Sequence, residues 1–296
     1  MAKFTVSTDS TADLYADYIL ANDVRVVPLM FTLEKDGDLR EYSDTFQTYG
    51  EYVHFYRMLR DKYVPKTVLL NYEAHMAHFR RLAEEGIREV LHLTLSSGLS
   101  GTCGMARDAA EDMKKEYPDF RCIVMDSLAA TIGQGEVVYE AVRLRDAGYT
   151  LEEAYEAVKD LPLHIQYVIS ADDLHFLNRG GRVGKMTAVF GTALQIKPIM
   201  TFTQDGKLAV NGKVRRMKGV IEFALAKMDR YKPVEEGRMI HIVHTDAESD
   251  AAELARRVEE KWGFAPEVSI MGPVIGTHIG PGGVSMIWKT AELRTE

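Results

Sequence analysis

The sequence predicts an α/β fold in two domains, the first on a mostly parallel sheet and the second on a mixed one. Three observations carry this expectation. Short apolar runs alternate with helical periodicities through the first half, as in βαβ units. In the second half, two apolar runs flank Asp205-Gly206, a two-residue hairpin signal. The length of 296 residues suits about two domains of ~150 residues each. Pro162 follows the last helix of the alternating region, which places the domains at 1–161 and 162–296.

Each element has its own signal. Phe4-Thr5-Val6-Ser7 reads as a strand that ends at Asp9-Ser10-Thr11, residues suited to capping a helix. Tyr49, Tyr52, Tyr56, Leu59 and Tyr63 recur at helical spacing. Leu91, Leu93 and Leu95 alternate with polar residues as a strand does, and the turn Ser96 to Gly101 follows. Ala106, Ala109, Met113 and Tyr117 then mark a helix face, and Ile123-Val124-Met125 marks the next strand. Asp126-Ser127 leads into a helix through Val138, Ala141 and Val142. Thr150 with Glu153 forms a capping box for a helix carrying Leu151, Ala154, Val158 and Leu161. Beyond the hairpin come a helix through Ile221, Leu225 and Met228, a strand over Met239 to Val243, and a helix through Ala251, Leu254, Val258 and Trp262. Val268 to Trp288 reads as two strands joined by an irregular loop rich in glycine and proline.

Composition narrows the function. Hydrophobic residues at 46% and charged residues at 27% are ordinary for a globular chain. The charge balance, 36 − 44 = −8, argues against a nucleic-acid partner. Two cysteines build no disulfide framework, so a reduced, cytoplasmic setting is expected. Met1 to Asp9 contains no apolar h-region, and no window approaches the ~18 apolar residues of a membrane span.

The turn Ser96-Ser97-Gly98-Leu99-Ser100-Gly101-Thr102 is the most informative local feature. It closes an expected parallel strand and opens a helix, where ligands of open α/β sheets bind and where backbone N–H groups favour an anion. It lacks the Gly-Lys of a Walker loop and the glycine pattern of a nucleophile elbow. The same turn also reads simply as a tight turn and cap. Asp9 and Asp126 should reach the same sheet edge, either as acid/base or Mg²⁺ groups or, more commonly, as helix caps. With the Ser96–Thr102 loop they would serve a stand-alone hydrolase or phosphatase, the rival reading. His75 and His78 have no partners at zinc spacing and are expected on a solvated helix face. His278 sits in the loop Gly272 to Gly283, and Arg179 and Arg182 sit in a second loop, Phe176 to Gly184.

Taken in order, Asp9 to Leu14, Val27-Pro28-Leu29, Ser96 to Thr102, Asp126-Ser127, Gly133-Gln134-Gly135, Leu177 to Gly184, Ile196 to Ile199 and Gly272 to Gly282 resemble the DegV family of bacterial fatty-acid-binding proteins. The resemblance runs from about Phe4 to Trp288. It implies two α/β domains with a long-chain fatty acid between them. It also implies a non-catalytic role, in which the carboxylate is presented to an ATP-binding fatty acid kinase subunit related to dihydroxyacetone kinases. No cofactor is implied, and transient contact with a membrane surface is compatible with it. Carried over, the carboxylate would be held by Thr67, Ser97 or its neighbour Ser96, and His278. Arg179 and Arg182 fall to loop structure or partner contact. The family's Thr-Ser-x-Pro-Ser stretch reads Thr67-Val68-Leu69-Leu70-Asn71 here, so a serine and a proline are lost.

The physics of such a ligand is consistent with these residues. Each buried methylene contributes roughly 0.8 kcal/mol, and hydroxyl donors can hold a carboxylate that would be costly to bury alone. For the acyl chain the candidates are Met30, Phe31, Phe190, Leu194, Ile196 and Ile275, each equally explained by core packing.

Overall fold

The computed structural model describes residues 4–182, 195–235 and 239–295. It opens with β1 (Thr5–Asp9), a 3₁₀ turn at Ser10–Ala12, α1 (Ala16–Ala21), β2 (Arg25–Val27), β3 (Met30–Lys35), β4 (Asp38–Ser43), α2 (Tyr49–Arg60) and β5 (Val64–Val68). There follow α3 (Tyr72–Glu84), β6 (Glu89–Thr94), α4 (Thr102–Glu116), β7 (Arg121–Asp126), α5 (Ile132–Asp146) and α6 (Leu151–Val158). After a 3₁₀ turn at Leu161–His164 come β8 (Ile165–Ser170), α7 (Leu174–Gly180), β9 (Ile196–Phe202), β10 (Leu208–Arg215) and α8 (Arg216–Arg230). The chain ends with β11 (Ile240–His244), α9 (Glu248–Trp262), β12 (Glu267–Ile270), α10 (Pro273–Ile279) and β13 (Val284–Lys289).

The strand–helix alternation builds the expected parallel sheet, in the order β2-β1-β6-β7. Val90, Leu91 and Leu93 are wholly buried, as strands covered on both faces must be. The Asp205-Gly206 turn joins β9 and β10 as an antiparallel hairpin. That hairpin lies at one edge of a mixed sheet ordered β10-β9-β8-β13-β11-β12, in which only β11 and β12 run parallel. The capping box at Thr150 and Glu153 starts α6. The largest apolar cluster draws on both halves of the chain, from Val6 and Leu93 to Tyr167, Met200 and Ile287.

A third sheet, β4-β3-β5, is antiparallel and was not expected. Its hairpin carries a signal of the same kind as Asp205-Gly206: Asp36 and Gly37 both have positive φ (53° and 83°), as a two-residue primed turn requires. Phe31 on β3 is wholly buried between Phe55 and Tyr42, with ring centroids 5.3 Å from each.

Four local expectations are corrected. His75 and His78 do not line a solvated face; they are 0% and 4% exposed. They fall one turn before Phe79 and Leu82, on the buried side of α3. Gly272 to Gly283 is not irregular throughout, because α10 occupies Pro273–Ile279, with proline at its start and Gly280 at its end. The arginine loop is likewise helical up to Gly180. Thr67 lies in β5 rather than a loop, and Asn71 caps α3 by accepting from the Ala74 N–H.

Candidate ligand-binding site

The carboxyl edge of the parallel sheet is organised by a buried polar network. Asp9, at the end of β1, accepts from the Thr11 N–H (3.0 Å) and hydroxyl (2.5 Å), from the Leu95 N–H (2.7 Å) and from Gln134 Nε2 (3.2 Å). Burial nevertheless holds its carboxyl above the usual range. The Ser10 hydroxyl accepts from the Leu29 N–H at 3.0 Å. Asp126 accepts from the N–H groups of Ser97 (3.1 Å) and Leu128 (2.9 Å). Both aspartates therefore act as loop ties, the commoner role for residues in such positions.

This framework sets Leu29 and Leu95 into the wall of a cavity of about 230 Å³, just below the roughly 300–1,000 Å³ usual for ligand pockets. Its lining combines several parts of the chain. The strand end Thr67-Val68-Leu69 faces the turn Leu99-Ser100-Gly101 that opens α4. Val274, Ile275, His278 and Ile279 of α10 form another wall, and Leu208 and Arg182 complete it. The surface is therefore amphipathic. Leucine, isoleucine and valine cover most of it, while hydroxyl, imidazole and guanidinium groups supply the polar part.

Each polar member is fixed by its surroundings. Thr67 Oγ1 lies 3.1 Å from His278 Nε2. Burial, with Arg182 and Arg179 nearby, pushes the His278 imidazole down to about 4, so it is neutral at pH 7 and offers one N–H and one lone pair. Its Nδ1 has no hydrogen-bond partner among the described residues. A Cβ on Gly180 would stand 2.3 Å from that nitrogen, so only glycine admits this approach of α7 to α10. Ser100 Oγ is 2.9 Å from Thr102 Oγ1 and accepts from the Thr102 N–H at 3.3 Å, which sets it on the N-terminus of the 15-residue α4. Arg182 donates to the carbonyls of Gly180 (2.6 Å) and Leu99 (3.3 Å), and no carboxylate pairs with it among the described residues. A guanidinium with no carboxylate partner among the described residues, a helix N-terminus and neutral donors around one cavity suit an anionic group.

The residues singled out from sequence are distributed unevenly. Thr67, His278 and Ile275 line this cavity together. Ser96 and Ser97 do not. Ser96 is wholly buried and donates to the Gly206 carbonyl at 2.6 Å, and Ser97 is exposed. Ser100, three residues on, is the serine at the cavity, and Arg182 faces it although its loop suggested only structure or partner contact. Arg179 instead stacks over the Phe176 ring at 4.7 Å. Phe31 belongs to the aromatic cluster, Met30 is 36% exposed, and Ile196 pairs with Arg215 in the second sheet. Phe190 and Leu194 lie outside the described residues.

The Ser96 loop also depends on one glycine. Gly206 has φ +74°, and a Cβ there would lie 2.1 Å from Ser96 Oγ. Gly206→Ala is expected to lower stability by about 1–3 kcal/mol. Urea unfolding measures this, and an unchanged midpoint would contradict the packing described.

A family profile described as "Uncharacterised protein, DegV family" matches residues 3–290. The chain belongs to the DegV family. Among DegV relatives, a DegV domain-containing protein of Lactococcus lactis is 31% identical over 292 residues, covering 96% of each chain. A DegV protein from Thermus thermophilus, whose structure is described as showing fatty acid binding, superposes with a TM-score of 0.81 at 30% identity, covering 97% of this chain and 99% of the other. A Thermotoga maritima protein described as revealing fatty acid binding function has the same TM-score at 29% identity, over 98% and 100% of the two chains. No helix among the described residues of this DegV chain is long and apolar enough to cross a membrane.

Proposed function

We propose that this chain binds a long-chain fatty acid and presents its carboxylate to an ATP-binding kinase subunit for acyl-phosphate formation. The observation that carries the reading is the cavity wall itself, where apolar residues from α10 and both leucine positions meet Thr67, Ser100, His278 and Arg182. Fatty acid binding by two DegV structures of 29–30% identity supports it. The walls come from both sides of the residue 161/162 line, in keeping with a ligand held between domains 1–161 and 162–296.

The donors suit presentation. One guanidinium and neutral hydroxyl and imidazole groups offset the net charge of −8 at this place. The carboxylate oxygen stays hydrogen-bonded, so it can attack a γ-phosphorus; the new P–O bond forms as the bond to ADP breaks, and the partner supplies ATP. Val68 and Leu69, 44% and 46% exposed, give the cavity an apolar lip for a partner or a membrane surface. The rival hydrolase needs Asp9 or Asp126 as a base, and both are engaged by loop N–H groups.

Native mass spectrometry of the purified chain tests the binding step. A co-purified C14–C20 acid, or a 1:1 adduct with added oleate, is expected; neither would refute binding. Oleate turnover with ATP only when the kinase subunit is added tests the presentation step.

A further inference from the structure

A second cavity, of about 240 Å³, lies on the other side of the Asp9 and Ser10 ties and is lined by three carboxylates, Asp9, Asp13 and Asp44. Leu14, Ile19, Leu20, Val26, Phe46 and Tyr52 give it an apolar and aromatic remainder, and no lysine or arginine lines it among the described residues. The three carboxylates differ in how they are satisfied. Asp9 is fully engaged by its loop, and Asp13 accepts from the Thr131 hydroxyl at 2.5 Å. Asp44 is 8% exposed, and its Oδ2 has no hydrogen-bond partner among the described residues. An orphaned carboxylate oxygen in a cavity without a counter-charge calls for a donor brought by a ligand.

We infer that this cavity binds a small organic ammonium, a primary amine with a short apolar body, whose N–H groups donate to Asp44. The body would pack on Leu14, Ile19 and Val26, and the charge would sit beside the faces of Phe46 and Tyr52, whose rings meet edge to face at 5.3 Å. The apolar share of the lining disfavours a hydrated metal ion. Among the described residues, moreover, no group of three acidic, histidine or cysteine side chains is placed to hold one. Burial raises the Asp44 carboxyl well above its usual range and Asp13 to about 7, with neighbouring carboxylates adding to the desolvation, and a bound cation would offset that cost. The inference does not rest on the fatty-acid reading.

Isothermal titration of n-butylammonium chloride into the whole chain at pH 8, with n-butanol and sodium chloride as controls, tests it. Saturable 1:1 binding is expected with the amine alone. Asp44→Asn, which keeps the side-chain shape and an oxygen that can still accept from the nearby Ser10 hydroxyl, should weaken it about tenfold or more. Leu20→Lys, at an 80% exposed position on the rim, should weaken it by repulsion without risk to the fold. The urea unfolding midpoint serves as the folding check for both variants. No saturable binding, equal affinity in Asp44→Asn, competition by oleate, or saturable binding of Mg²⁺ or Ca²⁺ in place of the amine would each overturn the inference.

Discussion

Thr67→Val is expected to raise the Kd for oleate about ten- to a hundredfold while leaving the fold intact. Valine matches threonine in shape and suits strand β5, so the change removes little besides the hydroxyl. A hydrogen bond to a charged group is worth about 1.5–3 kcal/mol, and each 1.4 kcal/mol is tenfold in affinity. The loss also reaches His278. Its Nε2 now meets Thr67 Oγ1 at 3.1 Å and its Nδ1 has no partner among the described residues, so in the variant both ring nitrogens lack one. Ser100→Ala should weaken binding in the same direction, whereas Ser97→Ala should leave it little changed, because Ser97 is exposed and tied to Asp126 through its backbone. Displacement of a fluorescent fatty acid reads all three. An unchanged Kd in Thr67→Val would place the head group elsewhere.

That contrast between Ser97 and Ser100 marks where sequence reading stops. The Ser96–Thr102 segment announces itself by composition and by its place after an alternating strand. Which hydroxyl meets the cavity depends on the turn, where Ser96 Oγ is drawn to the Gly206 carbonyl across 110 residues of chain. Long-range closures of this kind leave no local pattern. The parallel strands were legible because Leu91, Leu93 and Leu95 alternate cleanly. Strand β4 was not, since its residues are mostly exposed and carry no apolar face, and β5 contains Pro65, which argues against a strand. Helix α10 was legible in principle, from Pro273 at its first position and Gly280 after its last, but its glycine content masked the signal. Arg182 shows a different limit. A guanidinium beside Gly-Gly reads as loop chemistry until α7 and the Leu99 carbonyl turn it to the cavity.

The buried histidines of α3 and β6 are expected to make the fold acid-sensitive, and His75→Leu to relieve part of that sensitivity. Burial pushes His75 down to about 4 and His78 to about 3, and holds His92 well below its ordinary value. Ser7 Oγ bridges the last two, 2.8 Å from His78 Nε2 and 2.9 Å from His92 Nδ1. In the unfolded chain each ring binds a proton near pH 6.5, whereas the folded chain takes none until about pH 4 at His75. The unfolded state thus holds more protons in this window, and the stability contributed by the neutral rings is lost as pH falls through it. Asp13 opposes them. Raised to about 7, it keeps a proton that the unfolded chain has released, so its contribution favours the fold at low pH and fades as pH rises towards 7. The wild-type profile is the sum of both, and the difference between variant and wild type isolates one histidine. His75 is fully buried, packs on Phe79 and His92, and has no hydrogen bond of normal geometry on either nitrogen among the described residues, so leucine strands no partner there. At pH 5 the variant should be about 2 kcal/mol more stable relative to wild type than at pH 8, from 1.36 kcal/mol per unit over the interval to 6.5. Urea unfolding at the two pH values measures this, and a difference that does not change with pH would mean that His75 is protonated within the fold.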